Sequence, residues 1–134
     1  MRKILLAIGC MIMLVLTAGL IGNYRFKQMK SYLTEYTFKK LSLTSINDGT
    51  YQGTCKAFLI KATTEITIKN HHITSVEITD QKCGFGHEAN EITARIIKKQ
   101  SLDVDAISGA TGSSKCLLIA CEKALLKGKK SERM

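Results

Sequence analysis

Ten residues, Asp105-Ala106-Ile107-Ser108-Gly109-Ala110-Thr111-Gly112-Ser113-Ser114, bring four hydroxyl side chains and two glycines to the start of a segment with helical spacing. Backbone N–H groups at a helix N-terminus have no intrahelical partner, and the helix dipole is positive there. Glycines allow the backbone to approach a ligand closely. The chemistry this pattern offers is a phosphate seat, with Ser108, Thr111, Ser113 and Ser114 as hydroxyl donors. The competing reading is a Ser/Thr cap following a tight turn. Lys115 stands four residues beyond Thr111, either to neutralise phosphate charge or as a solvated first-turn lysine. A nucleotide-binding P-loop is excluded. Aligned on Gly109 to Cys116, its second glycine falls on Ser114, and its magnesium-holding Ser/Thr falls on Cys116.

The cysteines do not assemble a metal site. Cys116 and Cys121 are five apart on the same helix, roughly 140° around its axis. Cys83 and His87 have ligand-like spacing, but no second close pair completes the set. The sequence assigns no disulfide. His71 and His72 read as exposed turn residues.

The elements that must carry the ten-residue stretch follow from periodicity. Ile46-Asn47-Asp48-Gly49-Thr50 is a turn cluster and opens a domain over residues 46–128. Tyr51–Ala62 is expected as a first strand, Thr64–Lys69 as a second and Thr74–Ile78 as a third, with a hairpin turn at Asn70-His71-His72. A loop at 80–86 leads to a helix over His87–Lys99, with Ala89, Ile92 and Ile96 on one stripe. Gln100–Ile107 is short and partly alternating. A final helix spans Ser113–Lys127, its apolar stripe formed by Leu117, Ala120, Cys121, Ala124 and Leu125. Gly128 stops it, and residues 129–134 form a charged tail. Strands first and helices after predict an α+β domain: a small antiparallel sheet with two packed helices.

Ahead of the domain, Ile4 to Gly22 is a 19-residue run without a charge. At 1.5 Å per residue it reaches roughly 28 Å, close to the hydrocarbon thickness of a bilayer. Residues 1–22 are therefore expected to be an uncleaved transmembrane anchor. A signal-peptide core is shorter, although Thr17-Ala18-Gly19 offers a weak cleavage site. Residues 23–45 are expected as a helical stalk, either lying on anionic lipid or acting as a plain spacer. The net charge of +9 is distributed unevenly. Residues 1–45 carry seven Lys/Arg against one acid, and residues 46–134 carry thirteen against ten. With aromatics at 6%, this excess beside an apolar segment fits a membrane flank and excludes a nucleic-acid footprint. Basic residues on both sides of the span leave its orientation open.

Asp105, Ser108, Gly109, Ala110 and Thr111 match in order the signature Asp, two variable positions, Ser or Thr, Gly, Ala, Thr. The chain thereby resembles the FMN-binding domain family. That family includes the flavin-carrying subunits of Rnf and sodium-pumping NADH:quinone oxidoreductase complexes, and many small membrane-anchored bacterial proteins. Asp48-Gly49-Thr50-Tyr51-Gln52-Gly53 resembles the family's opening strand, and Gln100-Ser101-Leu102-Asp103-Val104-Asp105 its lead-in. Many members read Thr-Ser where this chain has Ser113-Ser114 after Gly112, so hydroxyls are kept.

The resemblance implies FMN as cofactor, with Thr111 as the site of a phosphoester. A flavin transferase, using FAD and a divalent metal, would recognise Asp105, Ser108, Gly109 and Ala110. Gly112, Ser113 and Ser114 would complete the cofactor-binding set. Some members hold FMN without a covalent bond. The implied function is electron transfer between a donor and an acceptor that the sequence does not identify. The soluble domain would lie outside the cytoplasm, because the family's transferase works there. The rival reading is a membrane-tethered structural or regulatory domain that carries no flavin. The loop Cys83-Gly84-Phe85-Gly86-His87 would either approach the flavin or serve as a glycine turn before a helix.

Overall fold

The computed structural model describes residues 1–82, 91–108 and 111–130. Helix α1 (Arg2–Glu35) precedes three strands, β1 (Gly49–Ala57), β2 (Ile60–Lys69) and β3 (His72–Lys82). Helices α2 (Glu91–Lys99) and α3 (Thr111–Gly128) follow. The strands form one antiparallel sheet in the order β1-β2-β3, and α3 lies across β1 and β2. This is the α+β arrangement expected from strands first and helices after.

α1 has 34 residues and extends about 51 Å. It is long and apolar enough to cross a membrane once, and its apolar window is not buried anywhere in the protein. Helical structure stops at Glu35, whereas the spacing of Tyr24, Phe26, Met29, Leu33, Tyr36 and Leu41 suggested a helix up to residue 45. Tyr36 is extended, and Tyr36, Phe38, Leu41 and Leu43 turn inward between exposed residues. A half-buried extended segment therefore replaces the last turns, and it packs onto α3. A 3-10 turn at Leu43–Ser45 ends it.

The contact that holds this segment is a buried acid. Glu122 of α3 is fully buried and accepts hydrogen bonds from the Tyr36 hydroxyl at 2.5 Å and the Lys39 N–H at 2.6 Å. Burial and the bond to Glu122 push the Tyr36 phenol well above its usual range, so it remains a donor. Glu122→Ala would orphan both donors. We expect it to lower unfolding free energy by about 2 kcal/mol, read from urea melts. Tyr36→Phe should cost only about 1 kcal/mol, because the Lys39 bond survives.

Tyr51–Ala62, expected as one strand, is two strands joined by a turn at Phe58-Leu59. Ala57 pairs with Ile60, and Phe58 has φ +46°. Turn chemistry normally uses Gly, Asn or Asp here, so two bulky apolar residues concealed the reversal. The β2–β3 turn is conventional: Asn70 and His71 have φ +50° and +60°. Asp48 reaches across to it, its carboxylate accepting from the N–H groups of Asn70 (2.9 Å) and His71 (3.3 Å).

Those bonds hold the Asp48 carboxyl below its usual value. The stability it contributes is present above the unfolded carboxylate value, about 3.9, and is lost as the pH falls through the lower folded value. Asp80, held down by Lys61, contributes with the same sign. Thermal melts across the acidic range should therefore show a shallower pH dependence in Asp48→Asn than in the parent, with the residual slope carried in part by Asp80.

α3 is buried on nearly every side, not along one stripe: Cys116 to Glu122 is continuous core. The sheet covers one side and the 36–43 segment the other. Gly53 of β1 is where helix and sheet meet most closely. A Cβ there would sit 1.9 Å from the Ala120 carbonyl oxygen and 2.5 Å from the Ala124 nitrogen. The ends of the domain are joined: the Asn47 N–H donates to the Gly128 carbonyl, and the Lys130 N–H to that of Ser45.

Candidate functional site

The loop from α2 to α3 delivers the signature, and several bonds fix its path. Gln100 leaves α2 with φ +54°, and its amide bridges to both backbone groups of Ile73 on β3 (2.7 and 2.9 Å). The Asp103 N–H donates to the Ser101 hydroxyl at 3.0 Å. The Arg95 guanidinium of α2 donates to the Asp105 carbonyl oxygen at 3.2 Å. The Ile107 N–H donates to the Ser114 Oγ at 3.1 Å. Leu102, Val104 and Ala106 alternate in sequence but form no strand, because the neighbouring edge of β3 is bonded to Gln100 instead.

α3 begins at Thr111, two residues before its expected start. Gly112 does not delay it, because first-turn residues have no intrahelical N–H bond to lose. Thr111 is exposed as the helix's first residue. Ser113 and Ser114 turn inward, and Ser114 is completely buried with its Oγ engaged by Ile107. Asp105 and Ser108 are exposed on the approach. Gly109 and Ala110 lie outside the described residues. A Cβ at Gly112 would meet the Ile60 Cδ1 at 3.2 Å and the Leu33 Cδ1 at 3.7 Å, so the start of α3 sits against both the β1–β2 hairpin and α1.

These residues fit a phosphate at Thr111. The first turn of α3 carries no acid to oppose it, and Lys115 is half-buried one turn along. Eighteen residues of aligned peptide dipoles stand behind that hydroxyl. Ser113 and Ser114, which the sequence offered as further donors, are packed into the domain. Arg95, which holds the loop, and Leu33 and Ile60, which back the helix start, had no signal in the sequence. Their roles depend on pairing between distant segments. A cleft of about 560 Å³ opens beside the lead-in, with Phe38, Leu41, Leu102, Val104 and Leu118 among its walls.

Two thiols beneath the site, Cys116 and Cys121, are kept protonated by their surroundings. Cys55 and Cys116 face each other across the β1–α3 contact as free thiols, both fully buried. The bond to Cys55 and burial raise Cys116 well above the ordinary thiol range. Burial pushes Cys121 up to about 12, against a smaller opposite pull from the Thr64 hydroxyl. No cluster of three or more metal-ligating side chains occurs among the described residues. The Cys83–His87 pair lies outside them.

The FMN-binding domain family matches residues 60–126, which include the β1–β2 hairpin's second strand, the loop and nearly all of α3. A protein of Treponema pallidum (strain Nichols) named "Uncharacterized protein" is 29% identical over 90 residues, covering 65% of this chain and 25% of that one. The chain thus spans about a quarter of the length of that curated relative. With the matched region covering half of its length and the signature threonine open at the head of α3, the chain belongs to the FMN-binding domain family, and FMN is its cofactor.

Proposed function

We propose that this protein is a single-pass, membrane-anchored electron carrier whose FMN is joined to Thr111 through a phosphoester, with the domain outside the cytoplasm. One observation carries the attachment site. Of the three hydroxyls on the first turn of α3, Thr111 alone is open to solvent, while Ser113 and Ser114 are buried. A transferase that must bring a phosphorus atom to a hydroxyl can reach only the first. In that reaction the Thr111 oxygen bonds to the FMN phosphorus of FAD, AMP leaves, and the hydroxyl proton is released with it.

The rest follows from where the residues sit. The start of α3 offers its positive end to the remaining phosphate charge, and Lys115 adds to it. Asp105 and Ser108 are exposed on the loop that leads to Thr111, and on this reading the transferase recognises them. The flavin, when bound, supplies the redox chemistry; the protein fixes its position and electrostatics. α1 supports membrane anchoring by its length and composition. The partners are a flavin transferase, an electron donor and an electron acceptor.

The test is the intact mass and in-gel flavin fluorescence of the full chain co-expressed with a flavin transferase. A mass increased by one FMN less one water, with a fluorescent denatured band, is expected. An unmodified mass together with no uptake of added FMN would overturn the carrier reading in favour of a tethered domain without flavin.

A further inference from the structure

Beyond α1 and the Met1 that precedes it, the large hydrophobic side chains exposed among the described residues are Phe58 and Leu59, at 51% and 60%. They are the two residues of the β1–β2 turn, where Phe58 has a left-handed backbone that bulky residues rarely adopt. A turn in water would favour Asn or Gly at this point. The turn also has a definite location. It faces α1 across an open cleft of about 740 Å³, walled on the helix by residues from Leu20 to Tyr32 and on the hairpin by Lys56, Ala57 and Phe58. The near end of that wall, Leu20 and Ile21, is the last stretch of the uncharged run, which ends at Gly22. The cleft that the exposed apolar tip borders thus opens at the place where α1 leaves the hydrocarbon. Tyr24 and Arg25 beside it are residue types that settle at the bilayer interface, and Lys56 adds a cation on the hairpin side of the cleft.

We propose that the Phe58-Leu59 tip inserts into the interfacial layer of the bilayer that α1 crosses, as a second membrane contact. The proposal rests on the membrane-anchored reading given above. It explains an apolar turn that the fold itself does not bury. It also fixes the height of the cofactor site, because Ile60, the first residue after the tip, lies against the start of α3 beside Thr111. Two contacts, a span and a wedge, orient that site toward the membrane surface more firmly than a span alone.

The chain contains no tryptophan, so one introduced residue reports alone. Leu59→Trp and, at the opposite end of the sheet, His72→Trp are each made in the full chain. Each is reconstituted in phosphatidylcholine–phosphatidylglycerol vesicles with or without phosphatidylcholine brominated near the carboxyl end of the acyl chain. Phe58→Trp serves as an independent second probe of the tip, and circular dichroism confirms folding. The expected result is flotation of every variant with the vesicles, blue-shifted emission at both tip positions with loss of most of it to the brominated lipid, and neither effect at His72. Flotation without quenching at the tip, or equal quenching at the tip and His72, would overturn the wedge and leave the anchor standing. A blue shift without quenching would mean that protein, such as a second copy, covers the tip, and would also overturn it. Failure to float would overturn the anchor and the wedge together.

Discussion

Thr111→Val should leave the denatured protein band dark and its mass unmodified after co-expression with a flavin transferase, whereas Ser114→Ala should keep the flavin. Valine has nearly the shape of threonine and no hydroxyl, so the substitution removes the acceptor atom with little change in packing at an exposed position. The expected loss of covalent flavin is complete, because the neighbouring hydroxyls on the same turn are buried. Ser114→Ala tests the opposite property. Its Oγ receives the Ile107 N–H inside the domain, so the variant should lose about 1 kcal/mol of stability and still be modified. Labelled protein from Thr111→Val, with the mass shift moved to another residue, would refute the assignment of Thr111. Retained fluorescence that disappears on denaturation would mean that FMN is held without a bond.

Gly53→Ala should produce the largest stability loss of any single methyl addition at a described glycine. The added carbon would sit 1.9 Å from a helix carbonyl oxygen and 2.5 Å from a helix nitrogen. Neither is the end of a flexible side chain, so α3 must move off the sheet and loosen the contact on which the core is built. Overpacking typically costs 1–3 kcal/mol and occasionally more, and a backbone collision belongs at or above about 3 kcal/mol. For a domain of this size that is a melting shift of roughly 12–24 °C, if the variant folds at all. Gly112→Ala provides the contrast, because its closest neighbour is the Ile60 methyl tip at 3.2 Å, which can rotate away. Thermal melts of the two variants, matched in mass, should separate widely. A Gly53→Ala protein that melts with the parent would mean that sheet and helix are less closely apposed than described.

What could be read from the sequence divides along a physical line. Local patterns were legible: the Asn70-His71 turn, the Ile92/Ile96 stripe of α2, the apolar run of α1 and the small-residue signature before a C-terminal helix. Each is written within a few consecutive residues. What remained hidden depends on the partner segment. The 51–62 stretch reads as one strand because its reversal uses Phe58-Leu59, and only pairing with the rest of the sheet reveals it. Tyr36 and Leu41 match a helical spacing, yet neither lies in a helix, because Glu122, far along the chain, binds Tyr36 and Lys39. Glu122 itself looks like a surface residue among Lys115, Lys123 and Lys127. In the site, the order of residues pointed to Thr111 and its neighbours as candidates, but not to the inward turn of Ser113 and Ser114. Helix phase relative to a buried core decides that, and the helix is covered on both sides.

The stitching of residues 36–46 into α3 and the C-terminal end has a mechanical meaning. A redox group on a loose leash would sweep a wide volume and collect electrons at a distance. Here the leash is one wall of the building: on the proposed electron-carrier reading, the group stands at a set elevation, and donor and acceptor must travel to it.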